Sequence, residues 1–144
     1  MRTLVLSTVV MALALLTGAH MVAAQEMGKT TAKLTGAAEV PGPGDPKGTG
    51  TAQVTLDPNK GEVCYELSVE NIQEATAAHI HEGELGKEGP VKVSLDTPKG
   101  GTAKGCKSAD AALIKAIMQD PSGYYVNVHS AAFPNGAVRG QLSK

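Results

Sequence analysis

Short runs in which apolar and polar residues alternate constrain the fold of this chain more than any other feature. They are TAQVTL from residue 51, EVCYELSVE from residue 62, PVKVSL from residue 90 and YYVNVH from residue 124. Successive side chains of a β-strand point to opposite faces, so each run predicts a strand with one buried face. Glycine and proline separate the runs at short intervals. We therefore predict an all-β fold, an antiparallel Greek-key-like β-sandwich or barrel.

One segment departs from this alternation and predicts a short helix over about residues 109–119. In SADAALIKAIMQDP, Ser108 is suited to the N-cap position and Pro121 ends the segment. Four apolar residues recur at helical spacing: Leu113, Ile114, Ile117 and Met118. We expect this apolar stripe to contact the core, with the helix packed across one end of the sandwich.

Residues 1–24 have the features of a secretory signal peptide. Arg2 precedes an apolar run and a stretch of small residues, in which Val22 and Ala24 fit the −3 and −1 positions of a signal-peptidase site. The run is shorter than the roughly 20 residues that a membrane span needs. We therefore predict cleavage after Ala24, a mature domain over residues 25–144, a secreted or periplasmic location and no stable membrane anchor.

The chain contains two cysteines, Cys64 and Cys106. In an exported protein, such a pair predicts one disulfide, and its spacing differs from that of a C-x-x-C redox motif. Closing a loop of this size stabilises a fold by about 4 kcal/mol in the chain-entropy model. Cys64 has the outward parity of its strand, so we expect a bond at the periphery. It would reinforce a core poor in aromatic residues, since the chain has one Phe, three Tyr and no Trp.

Charge and motif content argue against two classes of function. Cleavage after Ala24 would remove one charged residue, Arg2, and leave 12 basic and 14 acidic residues without a basic cluster. Nucleic acid is therefore not an expected partner. Ser130 follows His129 directly, and adjacent strand residues face opposite ways, so these two residues do not form a nucleophile–base pair. No G-x-S-x-G motif is present. We assign no catalytic activity.

The residues most suggestive of a site are the histidines of AHIHEG, at positions 78–83. If Ile80 points into the core, His79 and His81 point outward together, about 7 Å apart along the strand. The remaining histidine of the predicted mature chain, His129, has the outward parity of its own strand. Three histidines are thus expected on the solvent-facing side of the sheet.

Two interpretations of this cluster follow from the residues. Imidazole nitrogens bind copper and zinc, so His79, His81 and His129 are candidate ligands of either ion, with Asn127 supporting them. Alternatively, the histidines form a structural network of hydrogen bonds with Tyr125, Asn127 and Arg139 that ties the strands together. The sequence leaves both interpretations open.

Three segments together resemble the chordin-type (CHRD) domain. They are LTGAAEVP at 34–41, ATAAHIHEGELGKEGPVKVSL at 75–95 and GYYVNVHSAAFPNGAVRGQL at 123–142. The resemblance covers nearly all of the mature chain in the same order. It implies an all-β domain that occurs singly in secreted bacterial proteins and repeatedly in the extracellular regulator chordin, with no established enzymatic activity. We therefore expect a binding or interaction module with an extracytoplasmic protein partner. The sequence predicts neither that partner's identity nor the oligomeric state.

The strand AHIHEG also resembles, more weakly, the H-x-H strand of copper/zinc superoxide dismutases. His79 and His81 match that motif, and His129 is a candidate third ligand. The other metal ligands of those enzymes have no counterpart in this chain. This resemblance implies an alternative function as a small copper-dependent redox protein. A structural protein of the cell envelope is a further alternative.

Overall fold

The computed structural model describes residues 23, 24 and 26–144. Within them lie eight strands and one α-helix, with the bounds β1 Gly28–Thr35, β2 Thr49–Asp57, β3 Glu62–Glu70, β4 Ala75–Glu82, β5 Val91–Leu95, β6 Thr102–Ser108, α1 Ala111–Gln119, β7 Tyr124–Ser130 and β8 Val138–Gln141. Three single-turn 3₁₀ helices occupy Gly36–Ala38, Lys99–Gly101 and Pro121–Gly123.

The strands form one antiparallel sheet in the order β5-β4-β7-β8-β1-β2-β3-β6, which curls into a nearly closed barrel. The outermost strands, β5 and β6, approach each other. Asp96, just after β5, accepts hydrogen bonds from Tyr65 on β3 and Lys107 on β6 across this seam. Across this seam, the connection from β3 to β4 passes over β6 and β5. The connection from β6 to β7 passes over β5 and β4. Both connections resemble those of Greek keys. The predicted fold class is confirmed.

The core fills the inside of the barrel, and the alternating runs supply it as predicted. Val54, Val63, Ile80 and Val126 are among its fully buried members. Val91 departs from the expected inward face and is 48% exposed. A register irregularity pairs Val91 with His81, whose side chain faces outward, and so moves Val91 to the outer face.

Helix α1 is confirmed, although it begins two residues later than predicted. Its N-cap is Asp110, whose carbonyl accepts the first helical hydrogen bond from Ile114. Ser108 is unavailable as a cap because it pairs with Glu62 as the last residue of β6. Ile114 and Ile117 are fully buried, and the helix packs against β1 and β2 at one end of the barrel.

Cys64 and Cys106 lie directly opposite each other on β3 and β6 and form a disulfide, with a Cα–Cα distance of 3.9 Å. Cys106 is exposed and Cys64 is half-buried, so the bond lies on the outer surface, as the strand parity predicted. The cysteine pair is one of seven paired positions between the two strands. It therefore reinforces an existing strand pair next to the seam of the barrel.

The predicted signal peptide falls outside the described residues except for Ala23 and Ala24, and its cleavage stays a prediction. Among residues 23, 24 and 26–144, no helix has the length and apolar character needed to cross a membrane.

Candidate metal centre

The candidate site lies on the outer face of three neighbouring strands, β4, β7 and β8. Because Ile80 points into the barrel, His79 and His81 project from the opposite face of β4. The strand register places Asn127 opposite His79 and Tyr125 opposite His81. It places Arg139 of β8 opposite Asn127. Antiparallel pairing thus brings side chains that are far apart in the sequence together in one cluster.

His129 completes a group of three half-buried histidines. It pairs with Ala77, which makes it a diagonal neighbour of His79. One ring nitrogen from each of His79, His81 and His129 lies within 4.8 Å of the other two, so the group could hold a metal ion. Among the described residues, no carboxylate or thiolate belongs to such a group.

Backbone carbonyls set the orientation of two of the rings. His81 Nδ1 lies 2.8 Å from the carbonyl oxygen of Gly89, and His129 Nδ1 lies 2.9 Å from that of Pro134. A carbonyl oxygen only accepts hydrogen bonds, so each Nδ1 carries the proton. In the neutral rings, Nε2 therefore presents its lone pair to the cluster. This is the second-shell arrangement that orients metal-bound histidines in proteins.

The third ring, that of His79, connects to this pair through His129. His79 Nδ1 lies 3.2 Å from His129 Nε2, and it is the donor because His129 Nε2 presents a lone pair. His81 Nε2, in contrast, is buried and has no hydrogen-bond partner. A buried nitrogen without a partner is costly, typically by about 1–3 kcal/mol, unless a ligand occupies its lone pair.

The surroundings of the cluster keep two of its rings neutral. Burial lowers the pKa of His79, and repulsion from His129 and His81 lowers it further. Burial also lowers the pKa of His81, against a smaller opposing effect of the hydrogen bond to Gly89. The side-chain oxygen of Asn127 would accept a hydrogen bond from either ring in its protonated form, which raises both pKa values slightly. With the neutral His81 ring it forms no hydrogen bond. Neutral imidazole is the form that binds metal ions, so the rings need not lose a proton to the solvent at neutral pH.

The prediction that this face of the sheet is solvated was wrong for the residues beside the half-buried histidines. Tyr125 and Asn127 are each 3% exposed and Arg139 is 1% exposed. Strand parity identifies the face on which a side chain lies, but it does not reveal what covers that face.

The cover is the connection between β4 and β5, residues 83–90, which folds back over the sheet. Gln141 Nε2 donates to the carbonyl of Gly83, and Arg139 Nη2 donates to that of Glu84, each over 2.9 Å. The Gly89 amide donates to the hydroxyl of Tyr125. The polar side chains of β7 and β8 therefore hold the loop that orients His81.

Tyr125 separates the histidines from a buried positive charge. Its ring stacks on that of His81, with a centroid distance of 4.8 Å and an interplanar angle of 8°. The guanidinium carbon of Arg139 lies 3.4 Å from the centroid of the Tyr125 ring. Nε and Nη1 of Arg139 are buried without a hydrogen-bond partner. The guanidinium retains its charge in proteins, so this sandwich places a cation one ring away from the candidate site.

Glu39 is a buried acid that no pattern in the sequence indicates. It is 5% exposed, and burial raises its pKa to about 7 against the attraction of Arg139. Its carboxylate packs so closely against Gly136 that a Cβ there would lie 2.4 Å from it. The segment LTGAAEVP contains Glu39, but a single acid in a polar segment carries no sign of burial. The ring-orienting carbonyls of Gly89 and Pro134 were also missed, because every residue has a carbonyl.

Comparison with known proteins gives one match. A family model described as the CHRD domain matches residues 30–142, which include the whole candidate site. No curated protein and no solved structure matches significantly.

Proposed function

The chain belongs to the CHRD domain family, and from that premise we propose that it is a secreted or periplasmic binding module that holds a copper or zinc ion through His79, His81 and His129. Family membership supports an interaction module, for which an extracytoplasmic protein is the expected partner. The metal function rests on the side chains themselves, and no catalytic activity is part of the proposal.

One observation carries the proposal. The Nε2 atom of His81 is buried without a partner, while its Nδ1 is held by the carbonyl of Gly89. A ring serving only a structural network would be expected to use both of its nitrogens in hydrogen bonds. This ring is oriented on one side and presents an unused lone pair to two other histidines on the other.

The spacing of the nitrogens supports the same function. Two ligands about 2.0–2.1 Å from one ion, at angles between square and tetrahedral, lie roughly 2.9–3.4 Å apart. His79 Nδ1 and His129 Nε2 are separated by 3.2 Å. An ion would take the place of the His79 Nδ1 proton, which would move to Nε2 of the same ring. The ligand nitrogens of all three histidines lie within 4.8 Å of one another, so the His81 ring would move toward the ion to complete the site.

The test is titration of the mature, metal-stripped protein with Zn²⁺ and with Cu²⁺ in a calorimeter. The informative variant is His81→Asn, because the asparagine amide can still donate to the Gly89 carbonyl but offers no imidazole lone pair. We expect wild-type protein to bind one equivalent, and His81→Asn to bind at least about tenfold more weakly. Gln53→Ala, an exposed change on β2, is the matched control and should bind like wild type.

Equal binding by wild type and by the double variant His79→Ala/His81→Ala would refute metal binding and leave the structural network of Tyr125, Asn127 and Arg139.

The redox alternative is tested by a separate measurement. A copper-dependent redox protein would consume superoxide when loaded with copper and lose that activity in His81→Asn. Metal binding without such activity supports the binding module.

A further inference from the structure

We infer, on the basis of the metal-binding function proposed above, that the site selects monovalent cuprous copper over Zn²⁺, because its ligands are uncharged and the buried guanidinium of Arg139 lies one ring away. Cu⁺ and Zn²⁺ both have a filled d shell and therefore little geometric preference of their own. They differ in charge, in softness and in the number of ligands they need. The residues around the site favour the ion with the lower charge and the smaller number of ligands.

The ligand set provides no negative charge. His79, His81 and His129 bind as neutral imidazoles, and no carboxylate or thiolate joins them among the residues that the structure describes. The neighbouring Asn127 is also neutral, with its side-chain oxygen buried and unpartnered. Zn²⁺ on three histidines completes a tetrahedron with water or hydroxide. Cuprous copper is stable with three ligands and needs neither a fourth ligand nor an anion.

The positive charge of Arg139 disfavours Zn²⁺ more than Cu⁺. Its Nη2 donates to two neutral acceptors, the carbonyl of Glu84 and the side-chain oxygen of Gln141, at 2.9 and 3.0 Å. At 1% exposure, the guanidinium is weakly screened by solvent and salt. Its repulsion of a bound ion scales with the charge of that ion. Only the Tyr125 ring separates the two charges, with its centroid 3.4 Å from the guanidinium carbon and 4.8 Å from the His81 ring. Across this separation, the additional unit charge of Zn²⁺ lowers the affinity of the site for the ion by about tenfold or more.

The acids that face Arg139 compensate for its charge incompletely. Glu39 and Glu88 both attract the guanidinium. Glu88 is exposed on the covering loop, where water and salt screen it. Glu39 is buried, and because its pKa is raised to about 7 it is only partly ionised at neutral pH. A net positive charge therefore remains beside the site.

The experiment measures Cu⁺ and Zn²⁺ affinities on the same mature protein at pH 7, where Glu39 compensates the charge of Arg139 only in part. Cu⁺ is supplied anaerobically as its acetonitrile complex, without thiols, in competition with bathocuproine disulfonate. Zn²⁺ is measured in competition with a colorimetric chelator. We expect wild type to bind Cu⁺ at least about tenfold more tightly than Zn²⁺.

Two charge variants test the cause. Arg139→Gln should shift the ratio of affinities about tenfold toward Zn²⁺, and Glu39→Gln should shift it toward Cu⁺. Should the Arg139 variant fail to fold by circular dichroism, Glu39→Gln still decides. Zn²⁺ binding as tight as Cu⁺ binding, or a ratio unchanged in the folded variants, would overturn the selectivity while leaving metal binding intact. Binding of neither ion by wild type would overturn the proposed function itself.

Discussion

At the scale of single residues, the fold places buried charge where a surface was expected. Arg139 lies on the outer face of β8, opposite Asn127, yet it is 1% exposed. It contacts the covering loop through the Glu84 carbonyl, lies over Tyr125 and attracts Glu39. Burial of a charged group without full pairing is destabilising, so this arrangement is expected where the protein uses the charge.

Glu39 is expected to make stability depend on pH. Its pKa rises from 4.5 to about 7 on folding, so between these values the folded state binds more protons than the unfolded state. The free energy of unfolding therefore falls as pH rises through this window, by about 3 kcal/mol at most. Glu39→Gln should remove this fall, because glutamine resembles the protonated acid.

Urea unfolding of both proteins at pH 5 and pH 8 checks the effect of Glu39. All other groups are common to both proteins, so comparison of the two pH profiles isolates the contribution of Glu39. Parallel profiles for wild type and Glu39→Gln would contradict the prediction.

At the scale of elements, the site depends on one connection and two strands. Strands β4 and β7 bring the histidines together, while residues 83–90 orient His81 and exclude water from Tyr125. Gly89 is the tightest point of that connection, because a Cβ there would lie 1.6 Å from the carbonyl oxygen of Glu82. Only glycine fits this approach without movement of the backbone.

Gly89→Ala is therefore expected to displace the carbonyl that orients His81. Metal affinity should fall by about tenfold or more, as it does when groups that orient metal ligands are lost. Gly86→Ala is the control in the same loop, since a Cβ at Gly86 meets nothing within 4 Å, although its positive φ adds some strain. Calorimetric titration of both variants gives the comparison, and equal affinities would show that the position of Gly89 is irrelevant to binding.

At the scale of the whole molecule, a barrel of small side chains is closed and reinforced at its seam. Asp96 bridges β5 to β3 and β6, and the disulfide joins β3 to β6 on the outer surface. Disulfides persist in oxidising compartments, which agrees with the predicted export of the chain.

Export predicts a defined N-terminus. When the full chain is expressed in a bacterium with a signal peptidase, the mature protein should begin at Gln25, because Val22 and Ala24 fit the cleavage site. Mass spectrometry of the periplasmic and secreted fractions measures this. An Ala24→Leu variant should accumulate uncleaved, and a wild-type protein that keeps Met1 in every fraction would contradict the prediction.

Features set by neighbouring residues could be predicted from the sequence. Alternation along β2, β3, β5 and β7 identified the all-β fold, and the parity of Ile80 placed His79 and His81 together on the outer face. A helical period identified α1. These features follow from local backbone geometry, in which side-chain direction repeats every two or every 3.6 residues.

Tertiary packing decided the rest. The order of the strands brings His129 within 3.2 Å of His79 across 50 residues of sequence. Loop 83–90 covers the face that parity alone predicts to be solvated, and Glu39 becomes buried beside Gly136. The bulge that turns Val91 outward arises from pairing with β4. Each of these outcomes depends on contacts between segments far apart in the chain, and no local pattern of residues encodes such contacts.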